Sequence, residues 1–186
     1  LNGGPGAPAY IYVAERHQSK IMPVLSGWMG HESSFSFEDS YTPGQGIKRF
    51  MCGTPGILGM CALEMGVDIF QSVDMGVLRR KSCQLGDLFI SLVEEKPMGF
   101  KLASPRKADM RGSQVSIRHP GGYSIMQALI ERGVIGDFRA PDILRFGFTP
   151  LYTRYVDVWQ AVSTLADIMN SNDWHDVKYA MRAEVT

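Results

Sequence analysis

The run of residues 49–71, RFMCGTPGILGMCALEMGVDIFQ, constrains this chain most, because an extended lead-in meets a helix start and then a long apolar helical face. Thr54 before Pro55 reads as the helix N-terminus. The hydroxyl is placed to accept from a backbone N–H one turn in, and proline at the first helical position loses no needed donor. Ile57, Met60, Leu63, Val67 and Phe70 recur at helical spacing. Gly53, Gly56 and Gly59 keep side-chain bulk away from the entrance, which leaves room for a ligand's anion at the N–H groups and the positive dipole end. The competing reading is an ordinary capped helix packed into a core, the commoner use of such a start.

Composition narrows the setting. At 186 residues, 45% hydrophobic and 20% charged, the chain is long enough to bury a core and has the balance of a globular protein. Its 19 basic and 19 acidic side chains cancel, which argues against a broad nucleic-acid or anionic-membrane surface. No run is long enough for a membrane span and no signal peptide is recognisable, so a cytoplasmic setting is expected. Cys52, Cys61 and Cys83 are an odd number without metal-ligand spacing. They suit reduced thiols better than a disulfide framework, and no metal site is expected. The opening Leu-Asn-Gly-Gly-Pro-Gly-Ala-Pro lacks an initiator Met and is turn-rich, of the kind that follows a strand inside a protein. It reads as the start of the carboxyl portion of a longer polypeptide.

In chain order, residues 9–14 (AYIYVA) and 21–25 are short apolar runs, the first a strand candidate, with a charged turn between them. Ser26-Gly27-Trp28-Met29-Gly30-His31-Glu32 follows. Two glycines beside Trp28 remove neighbouring bulk, so its indole N–H is free to donate outward, against the alternative of a buried Trp bonded to a carbonyl. His31 taken alone is more often a satisfied structural histidine than a catalytic one. Residues 35–46 form a polar surface loop. Asp74 caps a second helix running to about Glu95, with Val77, Leu78, Leu85, Leu88, Phe89 and Leu92 inside and Arg79-Arg80-Lys81 on a solvated face.

At Lys96-Pro97-Met98-Gly99 the pattern turns from helical to alternating, the best place for a domain boundary. Strands at 100–103 and 114–119 precede a helix at 123–132 closed by Gly133 in the left-handed conformation. Strands at 134–138 and 143–148 and a final helix at 155–169 complete a small two-layer α/β domain, with helices on one face of a largely antiparallel sheet. In the last strand Arg145 interrupts an apolar run. A guanidinium there must be paired. Its planar fork suits a ligand carboxylate, and a partner Asp or Glu from the same chain is the alternative. No GxSxG, HExxH, P-loop or paired CxxC is present, so spacing alone builds no catalytic constellation.

Leu-Asn-Gly-Gly-Pro-Gly at 1–6, Glu15-Arg16-His17, Gly27-Trp28-Met29-Gly30-His31-Glu32, Gly53-Thr54-Pro55, Arg111-Gly112-Ser113-Gln114 and Arg145-Phe146-Gly147-Phe148-Thr149-Pro150-Leu151-Tyr152 together resemble the kynureninases. These are pyridoxal-phosphate enzymes of the aspartate aminotransferase fold. The resemblance implies an α/β fold: the carboxyl-terminal part of a PLP-dependent transferase (fold type I) large domain at 1–96, then a small carboxyl-terminal α/β domain at 97–186. It implies hydrolysis of L-kynurenine or 3-hydroxykynurenine to an anthranilate and L-alanine, with pyridoxal 5′-phosphate as cofactor. It further implies a homodimer with the active site at the subunit interface.

Carried over by motif, Trp28 and Thr54 resemble the cofactor-phosphate ligands. Arg145 resembles the clamp for the substrate carboxylate, and His31 a residue near the substrate's aromatic ring. The family's Schiff-base lysine lies in a Tyr-Lys-Tyr stretch just before Leu-Asn-Gly, and none of this chain's lysines sits in such a motif. No catalytic residue is therefore expected in this chain, which is expected to be inactive without the amino-terminal part of the same protein. Two alternatives stand beside this expectation. One is another fold-type-I enzyme, desulfurase-like or aminotransferase-like; the other is a non-catalytic assembly module.

Overall fold

The computed structural model describes residues 6–181. It divides into two compact units, Leu1–Val73 and Asp74–Thr186. Most of the opening Leu-Asn-Gly-Gly-Pro-Gly stretch lies outside the described residues.

The second unit holds the hydrophobic core. Helix α3, Met75–Glu94, begins where Asp74 accepts from the Val77 N–H at 2.9 Å, the N-cap that the sequence announces. (The two shorter helices before it, α1 at Glu15–Gln18 and α2 at Ile57–Gln71, belong to the first unit.) Four strands follow: β1 Lys101–Leu102, β2 Gln114–Arg118, β3 Asp137–Arg139 and β4 Ile143–Gly147. They form one antiparallel sheet in the order β1-β2-β4-β3. Helix α4, Gly122–Glu131, ends before Gly133, whose φ of +81° is the left-handed closure expected there. Helix α5, Tyr155–Ser171, and the short α6, Val177–Ala180, complete the unit.

Alternation along β2 and β4 sends Val115, Ile117, Leu144 and Phe146 into one buried cluster with Leu85 and Phe89 of α3, Ile125 and Leu129 of α4, and Val158, Val162 and Leu165 of α5. Three helices thus cover one face of an antiparallel sheet, the layered arrangement expected. Burying side chains of this size stabilises the fold by about 1.5–3 kcal/mol each, so this cluster dominates the unit's stability.

Several local expectations change. The inner side of α3 is drawn by Ser82, Leu85, Gly86, Phe89, Ile90 and Val93, whereas Val77 is exposed. Ser116, on the sheet face away from the helices, is nevertheless buried. The basic cluster on α3 is more than a solvated face. Arg79 donates to the Arg111 carbonyl at 2.8 Å and Lys81 to the Pro150 carbonyl at 2.7 Å, so both staple loops to the helix. Because α3 packs on the sheet, the units divide at Val73/Asp74 rather than after Lys96.

The first unit has no comparable core. Residues 9–14 form no strand, and Tyr10, Ile11 and Tyr12 are exposed. Helix α2 buries none of its 15 residues; only Leu63 and Phe70 among its large apolar side chains are half-buried, and Leu58 is 87% exposed. The expected cap also moves. Thr54 stays outside the helix, Gly56 is the N-cap, and no side chain bonds there.

Two outcomes are expected. Asp74→Ala removes the α3 cap and lowers the denaturant-measured stability of the second unit by about 1 kcal/mol, with Asp74→Ser nearly neutral. His119, packed between Phe100 and Trp174, is held below the ordinary histidine range first by burial and then by the nearby His175 charge. The unfolded chain, titrating near 6.5, therefore holds the extra proton as pH falls through that value, and acid favours unfolding there. The melting temperature falls between pH 7.5 and 5.5, and His119→Gln flattens that slope.

Candidate functional site

In the first unit, Trp28 opens a 3-10 turn, Trp28–Gly30, flanked by glycines for a reason other than freeing the indole. A Cβ on Gly27 would stand 1.9 Å from the Cys52 carbonyl oxygen, and one on Gly30 would stand 2.3 Å from that of Met51. The glycines let this turn lie against the backbone at 49–52, where Met29 N–H donates to the Cys52 carbonyl at 3.3 Å. Trp28 is thereby seated beside the segment that runs on to Thr54 two residues later.

Polar bonds hold the arrangement. The Tyr41 hydroxyl donates to the Gly30 carbonyl at 3.0 Å, and Gly44 N–H bonds the same carbonyl at 2.8 Å. Arg49 Nε donates to the Gly44 carbonyl at 3.0 Å. Reasoning from sequence passed over Tyr41 and Arg49, since nothing in a polar loop marks which residues cross-brace it.

The loop encloses a cleft of about 500 Å³ lined by Trp28, His31, Phe35, Phe37, Glu38 and Tyr41, among others. Trp28 is 46% exposed and meets Phe35 edge-on, ring centroids 5.5 Å apart. His31 is buried and both ring nitrogens face chain groups. Ser33 N–H donates to Nδ1 at 2.9 Å, which puts the proton of the neutral ring on Nε2, 3.3 Å from the Ser40 carbonyl. Its ring is a fixed wall of the cleft with an apolar edge toward Tyr41. Aromatic walls with two carboxylates, Glu38 and Asp39, among the lining suit a planar ligand group that carries polar substituents.

Thr54 is exposed, and the space where side chains would stand on Gly53 and Gly56 is open. The first intrahelical bond of α2 runs from Met60 N–H to the Gly56 carbonyl, so the N–H groups of Ile57, Leu58 and Gly59 precede the helical ladder. These donors and an open approach fit an oxyanion, whether or not Thr54 caps the helix. Gly59 plays another part, with Gly6 and Pro8 packed against it.

Arg145 lies in the second unit, on the sheet face opposite the helices. One Nη bonds Asp137 across the β3–β4 pair, while Nε is buried with no partner among the described residues. The intrachain carboxylate weighed against a ligand is thus present, yet it leaves part of the guanidinium unused. Asp137 also escaped the sequence reading; its signal was the DFR triplet, an acid between two arginines once strands pair. Among the described residues no cluster of His, Cys, Asp and Glu is arranged to hold a metal ion, and no helix is long and apolar enough to cross a membrane.

Comparison with known proteins bears on family and fold. Residues 78–165 match the kynureninase C-terminal domain. A curated kynureninase of Burkholderia mallei is 53% identical over the whole of this chain, which covers 45% of that relative. The chain therefore spans less than half the length of such relatives. Among solved structures, the apo cysteine desulfurase of Thermococcus onnurineus superposes with a TM-score of 0.72 at 19% identity, over 86% of this chain and 42% of that one. A C-DES mutant with glycine covalently linked to its PLP cofactor superposes with a TM-score of 0.68 at 20% identity, over 84% and 40%. These likenesses show the fold: the carboxyl-terminal part of a fold-type-I large domain followed by a small α/β domain.

Gly27→Ala forces the Trp28 turn off the 49–52 backbone and destabilises the first unit by about 1–3 kcal/mol, because a carbonyl has nowhere to yield. Gly53→Ala, with open space, is expected to change stability by no more than about 0.5 kcal/mol. Hydrogen exchange at the Met29 N–H, protected in the parent and in Gly53→Ala but lost in Gly27→Ala, checks the pair.

Proposed function

We propose that the chain, which is similar to the kynureninases along its whole length, supplies the carboxyl-terminal part of an enzyme hydrolysing L-kynurenine, or 3-hydroxykynurenine, to an anthranilate and L-alanine. The 53% identity along its whole length carries this reading. The alternatives of a desulfurase-like or aminotransferase-like reaction have only likeness near 20% identity behind them, which speaks for fold and not for chemistry. A purely non-catalytic module would not need an open oxyanion approach, an aromatic cleft and an underused arginine together.

The cofactor in this reading is pyridoxal 5′-phosphate, which supplies an electron sink for breaking a bond of an amino-acid substrate. This chain's residues hold and orient. Thr54 and the N–H groups of Ile57, Leu58 and Gly59 take the phosphate, favoured by the positive end of α2. The Trp28 indole donates to the same phosphate from the neighbouring turn. Arg145 takes the substrate α-carboxylate in a two-pronged clamp, which fixes the tilt of the scissile bond. His31, with both nitrogens engaged, bounds the site of the substrate's aromatic ring as a rigid wall.

The exposed apolar residues of α2 have a place in this reading as well. An unpartnered face of that kind marks a surface covered by other protein. Here the cover is the amino-terminal part of the kynureninase polypeptide. We assign the working form as a cytoplasmic homodimer in which Trp28 and Thr54 reach a cofactor held mainly by the other subunit.

The test is direct. Produced together with the amino-terminal portion of a kynureninase, the chain is expected to yield anthranilate and alanine from L-kynurenine. In that enzyme Arg145→Lys keeps the charge but loses the fork, and kcat/KM drops by about 2–4 kcal/mol with cofactor affinity nearly unchanged. A cofactor-loaded assembly that leaves L-kynurenine intact overturns the assignment. A mutant with lowered melting temperature and near-normal kcat/KM overturns the role of Arg145.

A further inference from the structure

The outer face of the small sheet carries one polar row across three strands. Ser116 of β2 stands opposite Arg145 of β4, and Arg145 stands opposite Asp137 of β3. Asp137 bonds one Nη of Arg145 and, on its own strand, lies 3.3 Å from Nε of Arg139. One carboxylate is thus shared between two guanidinium groups, and the trio keeps a net charge of +1. The Arg145 side chain is 30% exposed, so a ligand can reach it, while its buried Nε–H has no acceptor among the described residues. A buried donor left unpaired costs about 1–3 kcal/mol, a cost that persists in folded proteins where function uses the group.

Resting on the reading of Arg145 as the carboxylate clamp, we propose that Asp137 is its positioning residue. By tethering one corner of a rigid planar group, it fixes the plane of the fork and keeps the remaining donors for an incoming carboxylate. Arg139 takes part of the Asp137 charge, so the tether does not neutralise Arg145. Substrate then meets an arginine already oriented, and less side-chain freedom is lost on binding. Asp137 itself touches no substrate atom; it acts through Arg145 alone.

The experiment uses the assembled holoenzyme and compares Asp137→Ala, Asp137→Asn and Arg145→Lys. KM and kcat for L-kynurenine are measured alongside binding of its decarboxylated amine analogue and the melting temperature. Asp137→Ala is expected to raise KM about tenfold, with kcat changed less than about threefold and binding of the decarboxylated analogue unchanged. Asp137→Asn, which retains an acceptor for the tether, is expected to recover most of the loss. If Arg145→Lys raises KM while Asp137→Ala leaves it unchanged or lowers it, the positioning role is wrong and the clamp stands. If Asp137→Ala weakens both ligands equally and lowers the melting temperature, Asp137 is a structural strut and the proposal falls. If Arg145→Lys leaves KM unchanged, the clamp reading fails and the proposal with it.

Discussion

The antiparallel pairing of β2 with β4 is the constraint on which the second unit depends. Its register sets Ile117 beside Leu144 and Val115 beside Phe146, and a slip of either strand by one residue would carry its pair away from α3, α4 and α5. The same register places Ser116 opposite Arg145 on the other face. Core and polar row are therefore two sides of one alternation. Whatever holds the apolar side in place also holds the guanidinium where it is.

The loops between these strands are pinned to the helices by cations. Arg111 is buried, and it reaches Asp87 of α3 and the carbonyls of Pro105 and Arg106. Arg79 reaches back to the Arg111 carbonyl, so two arginines close the segment ahead of β2 from both ends. A buried arginine is tolerable only when its donors are used, and here the acceptors are mostly backbone carbonyls that the turn leaves unpaired. Arg145, on the other face of the sheet, has a buried Nε with no partner among the described residues.

The first unit is held by different forces. Its turns are braced by the Tyr41 hydroxyl, the Arg49 guanidinium and close backbone approach at Gly27 and Gly30, while α2 presents apolar side chains outward. An isolated helix of this length is marginal in water, so a partner surface is part of its physics. The cleft beside Trp28 and the oxyanion approach beside Thr54 share one backbone contact, Met29 N–H to the Cys52 carbonyl, which ties the two candidate groups together.

Much of the second unit was legible because its signals are local. Asp74 before an apolar periodicity, Gly133 after one, and alternation at 114–118 each report a conformation that neighbouring residues enforce. The Thr54-Pro55 start was misread as a cap because the same letters serve an extended lead-in, and only the backbone at Gly56 decides where helical bonding begins. The 9–14 run reads as a strand by composition but has no pairing partner among the described residues, and a strand without one is not a strand. Sequence alone determined most helices and strands of the small domain and the resemblance to the kynureninases. Tertiary structure alone decided that α3 joins the sheet, that His31 spends both nitrogens on its own loop, and that Asp137 meets Arg145. Those outcomes depend on atoms distant in sequence or on backbone geometry, where register and close approach, rather than residue type, set the contact.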